Sequence, residues 1–202
     1  VTLVEKLYPE FMPNLSTARS PQAMNSSLMK NWFAKKLGRK PEDIVVVSIM
    51  PCTAKKHEAK RKELFTKDGV QETDFVLTTR ELGKLLKLKK VAMASIEPME
   101  FDNPLGLSTG AGAIFGATGG VMEAAARAAY EITTGKKLDS VDLVDLRGFH
   151  GQGMAKAMTV QLMTAEKKPV DVKLAVVHGI GNARTLLEKI KKGEANYDFI
   201  EI

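Results

Sequence analysis

The chain has 202 residues, of which 44% are hydrophobic and 27% charged, with 30 basic against 24 acidic side chains. These fractions are typical of a folded globular domain and exclude a disordered chain. No stretch reaches the roughly 18 consecutive apolar residues of a membrane-spanning helix, so we expect no membrane partner. The charge of +6 is divided among small separate lysine clusters with few aromatic residues. This pattern argues against nucleic-acid binding.

The first forty residues predict two helices separated by a loop. Apolar residues at helical spacing open the chain, and Pro13 ends this helix. Residues 14–21 are polar, small and turn-forming, which predicts a loop. Ser20 can cap the second helix with Pro21 at its first position, and Gly38 is expected to end it.

The middle of the chain predicts two strands and a helix. The β-branched run over residues 44–49 is typical of a strand buried on both faces. Residues 75–77 predict a second strand. Thr78 and Glu81 form a capping box at the start of a helix that we expect to run through Leu88.

The rest of the chain predicts further alternation of helices and strands after a glycine-rich segment. The expected elements are a helix over 121–134 ended by Gly135, strands over 141–146 and 170–176, a helix from a cap at Asn182 to Lys192, and a strand over 197–202. Alternating strands and helices predict an α/β layered fold with a largely parallel sheet.

Cys52 is the only cysteine, so the chain can form no internal disulfide, and we expect a reducing, cytoplasmic location. It follows the 44–49 strand through a proline. The carboxyl end of such a strand is where open α/β sheets bind ligands. The alternative is that Cys52 is a small buried apolar side chain. Position alone leaves both interpretations open.

The glycine-rich segment over residues 106–120 lacks the spacing of both common phosphate-binding motifs. One interpretation is that glycines permit close packing of backbone at a helix start. The other is that backbone N–H groups approach an anionic cofactor there. The sequence does not choose between them.

Several segments resemble the [FeFe]-hydrogenases. Residues 50–58, M-P-C-T-A-K-K-H-E, are similar to the second cysteine signature of that family, M-P-C-x-x-K-x-x-E. Residues 14–22 resemble its segment N-L-S-S/T-x-K/R-S-P-Q, and residues 77–82, 108–123 and 182–202 match in the same order. The chain is identified by these motifs as a member of the family, along nearly its whole length.

The resemblance implies a role for particular residues around the H-cluster, a [4Fe–4S] cubane bridged to a di-iron site. Cys52 matches a cubane ligand, and Lys55 matches the lysine that hydrogen-bonds a cyanide of the distal iron. Glu58 closes the signature and is expected to position Lys55 or its loop, and Ser16 matches a serine of the proton path. Residues matched to the surroundings of the di-iron site are Met50, Pro51, Ser20, Gln22 and Phe115.

The other two cysteine signatures of the family would lie immediately before Val1 and from Glu201 onward. An iron–sulfur cubane takes four thiolates, and this chain has one. We therefore expect residues 1–202 to be part of the catalytic, H-cluster domain of a large subunit. We expect the fragment alone to bind no cluster and to be inactive.

The resemblance further implies a two-lobed catalytic-domain fold and the reversible reduction of protons to H2. Its expected partners are H2, protons and a ferredoxin or other electron-transfer protein or domain. The alternative is a non-catalytic relative, either a sensory hydrogenase-like protein or an iron–sulfur assembly factor of hydrogenase ancestry.

Overall fold

A computed structural model describes residues 1–136, 155–164 and 166–202. The chain divides into two compact units, residues 1–106 and residues 107–202. The strand predicted over residues 141–146 lies outside the described part. Among the described residues, no helix is both long and apolar enough to cross a membrane.

The first unit is built from short helices around a two-stranded sheet. Its elements are α1 (Thr2–Leu7), a 3₁₀ turn (Pro9–Asn14), α2 (Pro21–Ser27), a π-helical segment (Leu28–Phe33), α3 (Ala34–Lys36), a 3₁₀ turn (Pro41–Asp43), β1 (Val47–Ile49), α4 (Ala54–Glu58), a 3₁₀ turn (Lys62–Leu64), β2 (Phe75–Leu77), α5 (Thr79–Leu88) and a 3₁₀ turn (Met93–Ser95).

Strands β1 and β2 pair in parallel, with Ser48 opposite Val76. The prediction that this first strand is buried on both faces is wrong for the unit. Val47 and Ile49 are about half exposed, at 50% and 48%, whereas Ser48 between them is buried. In the described part of the unit the sheet has two strands, and it buries the face that carries Ser48.

Both predicted helix starts in this unit are confirmed. Ser20 Oγ accepts a hydrogen bond from the N–H of Ala23, with Pro21 at the first helical position. Thr78 and Glu81 form the expected reciprocal capping box, in which each side chain accepts from the other residue's backbone N–H. Side-chain oxygens thus satisfy helix-start N–H groups that have no partner within the helix.

From α2 through the π-helical segment to α3 the helical run is continuous, and its buried row includes positions four residues apart. Ser26, Lys30 and Ala34 are each 1% exposed. The Lys30 ammonium lies 2.8 Å from an Asp74 carboxylate oxygen and also donates to the carbonyl of Ile44. This buried cation therefore joins the helical run to the chain leading into both strands.

Within its described residues, the second unit has two helices before its sheet and one helix between two of the sheet's strands. Its elements are α6 (Gly110–Ile114), α7 (Gly120–Thr134), β3 (Ala155–Met163), β4 (Pro169–Val177), α8 (Ile180–Lys191) and β5 (Phe199–Glu201). Strand β4 lies between β3, which is antiparallel to it, and β5, which is parallel to it. The fold is α/β as predicted, with one sheet parallel and the other mixed.

The second unit has an apolar core between α7 and the sheet. Met122 and Ala126 of α7 pack with Val160, Leu174 and Val176 of the sheet. The helix ends as predicted, at a glycine in the left-handed conformation (φ 68°). Alternating apolar residues on the two paired strands supply one face to this core.

Two local predictions for this unit need correction. Helix α8 begins at Ile180, and Asn182 lies within it and donates to the carbonyl of His178 at 2.8 Å, so Asn182 is not the cap. Strand β3 was not predicted, although Met158, Val160 and Leu162 alternate with polar residues in its second half. The strand begins with Ala155, Lys156 and Ala157, residue types that favour helices over strands, which weakens the strand pattern.

Candidate functional site

Cys52 lies at the carboxyl end of β1, as the sequence predicts. The N–H of Met50 donates to the carbonyl of Leu77 at 2.8 Å, which continues the parallel pairing one residue beyond the strand. Pro51 and Cys52 then leave the sheet, and both are exposed. The alternative of a small buried apolar cysteine is therefore wrong for this unit.

Helix α4 begins two residues after Cys52 and brings Lys55 and Glu58 onto one face, one turn apart. Lys55 Nζ donates to Glu58 Oε2 at 2.7 Å. The other oxygen of Glu58 accepts a hydrogen bond from Ser20 Oγ, at the start of α2. We call Ser20, Lys55 and Glu58 the polar triad. It joins the two segments that the sequence analysis singled out separately.

The charge state of the polar triad follows from these contacts. Burial opposes ionisation of Glu58, but the hydrogen bonds from Lys55 and Ser20 outweigh it, so its pKa lies below the ordinary value. Glu58 is thus an anion near neutral pH, held between an ammonium and a hydroxyl. Lys56, the next residue along, points to a different partner, Glu81, at 2.6 Å.

The other predicted residues of the first unit are placed differently. Gln22 is buried, and its Oε1 has no hydrogen-bond partner within the described residues. A buried amide oxygen without a donor is uncommon in folded proteins. Ser16 is exposed, and its Oγ accepts from the N–H of Ala18 at 3.1 Å. In the described chain, Ser16 is not hydrogen-bonded to the polar triad.

Phe115 belongs to the second unit, where it follows α6 and is 40% exposed. The neighbouring glycines favour the close-packing interpretation. A Cβ on Gly120 would lie 1.7 Å from the carbonyl oxygen of Ile114. The chain's own carboxylate, Glu201, accepts from Met122 N–H at 2.6 Å and Gly119 N–H at 3.1 Å at the start of α7.

A buried carboxylate that the sequence analysis missed, Glu72, contacts Arg19, the residue that precedes Ser20 of the polar triad. Glu72 is 3% exposed and accepts from Arg19 at 2.5 Å, and from Ser27 and Asn31 at 3.1 Å each. The partners are 41 to 53 residues away along the chain. No local spacing pattern could have indicated this cluster.

The residues present do not by themselves fit a complete iron–sulfur cluster. A cubane takes four thiolates, and the chain has Cys52 alone. Among the described residues, no three His, Cys, Asp or Glu side chains are grouped so that they could hold a metal ion. The site offers one exposed thiol, Cys52, and, three residues on, the ammonium of Lys55 held by Glu58.

Comparisons with known proteins extend this description. The chain is 45% identical to the NADP-reducing hydrogenase subunit HndD of Solidesulfovibrio fructosivorans, over 96% of the chain and 32% of that protein. It is 42% identical to the periplasmic [Fe] hydrogenase large subunit of Nitratidesulfovibrio vulgaris, over 98% and 45%. The cytosolic Fe–S cluster assembly factor narfl of Danio rerio is 32% identical, over 100% and 48%. The chain thus spans about a third to a half of these relatives.

Solved structures agree with the fold. The apo [FeFe]-hydrogenase HydA1 from Chlamydomonas reinhardtii matches with a TM-score of 0.80 and 36% identity, over 99% of this chain and 55% of that one. The family model described as the iron only hydrogenase large subunit, C-terminal domain, matches residues 1–202. The chain therefore belongs to the iron-only hydrogenase large-subunit family, within its C-terminal domain.

Proposed function

We propose that residues 1–202 form part of the catalytic, H-cluster domain of an [FeFe]-hydrogenase that interconverts protons and H2. Family membership and 42–45% identity to two hydrogenases support this activity. The observation that carries the proposal is the exposed thiol of Cys52 followed one helical turn later by a cation fixed in the polar triad.

Cys52 is the proposed thiolate ligand, one of the four that a cubane needs. The exposed position at the end of β1 suits a ligand, because a thiolate must reach a group outside its own unit's core. The remaining ligands are proposed to come from segments of the parent protein that this chain does not contain. The presence of those segments in the parent protein is itself part of the proposal.

Lys55 is the proposed donor to an anionic ligand of the di-iron site. Its ammonium has three N–H donors, one of which Glu58 accepts. Glu58 thereby limits the rotation of a flexible side chain and leaves donors for a bound anion. Charge-assisted hydrogen bonds of this type are stronger than neutral ones. Gln22, whose buried Oε1 has no partner in the described chain, is proposed to face the same pocket.

Ser16 is the proposed proton carrier, and Met50, Pro51, Ser20 and Phe115 are proposed to surround the di-iron site. Ser16 is exposed with its hydroxyl hydrogen free to rotate, since Oγ acts as an acceptor toward Ala18. A serine that accepts one bond and donates another can pass a proton along a chain. For Phe115 the support is its place in the motif and its exposed ring.

The proposal is tested in the intact parent protein by comparing two adjacent lysines. Lys55→Ala should lower H2 evolution with a reduced dye at least tenfold. Lys56→Ala removes the same charge from the same helix and breaks only a pair with Glu81, so it should retain most activity. Equal activities in the two variants would contradict the role of Lys55.

Cys52→Ala tests the ligand itself. In the parent protein it should abolish retention of the cluster, measured as iron and acid-labile sulfide per chain and as infrared bands of metal-bound CO and CN⁻. Unchanged iron content in the Cys52→Ala protein would overturn the assignment.

A second candidate is an iron–sulfur assembly factor or a sensory relative, since relatives such as narfl carry that name. The higher identity to hydrogenases favours the enzyme. A parent protein that binds iron–sulfur clusters but shows neither H2 evolution nor CO and CN⁻ bands after maturation would support the second candidate.

We also propose a ferredoxin or another electron-transfer protein or domain as partner, and a reducing, cytoplasmic location. The single cysteine supports the location. Relatives are named both periplasmic and cytosolic, so membership of the family does not choose between compartments.

A further inference from the structure

Glu72 has the environment of a side chain that fixes other residues. It is 97% buried, yet both of its oxygens accept hydrogen bonds: Oε2 from Arg19, and Oε1 from Ser27 and Asn31. A buried carboxylate is costly unless it is paired in this way. Its three donors satisfy it, so the cluster has one well-defined arrangement.

The contacts of Glu72 hold both ends of α2. Arg19 immediately precedes the cap residue of α2, whereas Ser27 is its last residue and Asn31 lies in the π-helical segment. Thr73, next to Glu72, adds a hydrogen bond to Ser26 at 2.7 Å. The segment before β2 therefore fixes where α2 begins and ends.

The start of α2 is where the polar triad is closed. Ser20, adjacent to Arg19, donates to Glu58, and Glu58 holds Lys55. The Arg19 guanidinium also donates to the carbonyl of Glu63 at 3.5 Å. A shift of Arg19 would move the Ser20 hydroxyl away from Glu58, because the two residues are consecutive in the loop.

We infer that Glu72 is a positioning residue that acts through Arg19 and Ser20 to hold Glu58 and Lys55 in place beside Cys52. The inference rests on the proposed function for its catalytic meaning, and on the hydrogen bonds of Arg19, Ser20 and Lys55 for its geometry. It assigns a role to a residue that lies outside every motif named above.

The test is a titration of Glu58 by carboxyl-carbon NMR in the full chain. Glu72→Gln presents an amide N–H group to Arg19, and Arg19→Gln removes the cation. Either change should weaken the Ser20–Glu58 hydrogen bond and raise the pKa of Glu58 by about one unit. Arg19→Lys keeps a cation facing Glu72 and should return the pKa of Glu58 most of the way to its original value.

Glu5 is the internal control. Its pKa is lowered by a hydrogen bond from Arg61, on a contact that involves none of the Glu72 partners. A general loosening of the unit would move both carboxyls, whereas the positioning role moves Glu58 alone. Because Arg19 is partly exposed, Arg19→Gln tests the inference even if Glu72→Gln does not fold.

An unchanged Glu58 titration in folded Arg19→Gln would overturn the inference. A raised pKa of Glu58 that Arg19→Lys restores would support it. Neither result needs a bound cluster, so a parent protein without H2 evolution would count against the proposed function and leave this result standing.

Discussion

The two units bury different kinds of side chain. In the first unit most of the larger buried side chains are polar or charged: Gln22, Ser26, Lys30, Ser48, Thr66, Glu72 and Thr73. In the described part of the second unit Glu123 is the one buried charged or polar side chain, and it pairs with Arg127 at 2.8 Å. The apolar core between α7 and its sheet dominates there.

This contrast has a physical meaning for the site. Apolar contacts tolerate small displacements, whereas hydrogen bonds and ion pairs weaken steeply when distance or angle changes. A unit held by polar contacts therefore places its side chains with narrow tolerance, at the cost of greater sensitivity to pH and to loss of a single partner. The polar triad lies in the unit built this way.

The largest expected loss of stability comes from a substitution in the apolar core of the second unit. Leu174→Ala should lower the free energy of unfolding by about 3 kcal/mol, since it removes a 5%-exposed side chain and leaves a cavity. Val170→Ala on the same strand, where the side chain is 42% exposed, should cost far less. Unfolding in urea, monitored by hydrogen exchange of the β4 amides, measures the loss of stability in both variants. Similar costs for the two variants would contradict a core centred on Leu174.

The next largest loss of stability comes from breaking the buried ion pair of the first unit. Lys30→Met keeps most of the side-chain volume but leaves Asp74 and the carbonyl of Ile44 without their cation. Because Asp74 is a quarter exposed, the loss should be about 2 kcal/mol rather than the larger cost of a fully buried pair.

Lys36→Met in the same helical run is the control for Lys30→Met. Lys36 lies over the Trp32 ring at 5.0 Å and should contribute little. Hydrogen exchange of amides in α2 and β1 measures the difference. Equal protection in the two variants would show that the buried pair does not hold the unit together.

A smaller effect comes from the capping box of α5. Thr78→Ala removes the acceptor for the N–H of Glu81 and should cost about 1 kcal/mol. Thr79→Ala alters the adjacent, exposed threonine and should be close to neutral. The two unfolding midpoints in urea, compared with the unaltered chain, measure the difference. A cost for Thr79→Ala as large as for Thr78→Ala would argue against the cap.

The smallest expected effect is the loss of stability of the first unit in acid. Hydrogen bonds from Lys56 and from the backbone of Thr78 lower the pKa of Glu81 to about 2. Its contribution to stability is therefore fully present above the unfolded pKa of 4.5 and is lost as the pH falls from 4.5 towards 2. Glu81→Gln should flatten this dependence of the unfolding free energy on pH. The core residues of the second unit are not ionisable, so the hydrogen-exchange protection of their amides should not depend on pH in this way.

The local parts of this fold could be predicted because their causes lie within a few residues. Ser20 with Pro21, Thr78 with Glu81 and the left-handed Gly135 each satisfy a helix end with neighbouring atoms. The α/β class followed from alternation of the elements. The proposed site residues Cys52, Lys55 and Glu58 could be named from a motif.

What could not be predicted depends on contacts between distant segments. The exposure of Val47 and Ile49 depends on how many strands flank β1. The sequence of a single strand does not contain that information. Strand β3 was missed because it begins with residue types that favour helices. The start of α8 was misplaced because Asn182, a typical cap residue, lies inside the helix. Glu72 and its donors meet only after folding, which is why the support behind the polar triad was missed.

The π-helical segment at Leu28–Phe33 has a consequence for the phase of the whole helical run. Four residues of an α-helix rotate slightly more than a full turn, whereas four residues of the wider π-helix rotate slightly less. The segment covers most of the run from Ser26 through Lys30 to Ala34, so these eight residues complete nearly two full turns and all three side chains are buried on one side. Converting the segment to α-helix without removing a residue would turn Ala34 and everything after it away from the unit's interior, while Ser26 stayed in place. Deleting one residue at the same time would return Ala34 to the inward-facing side.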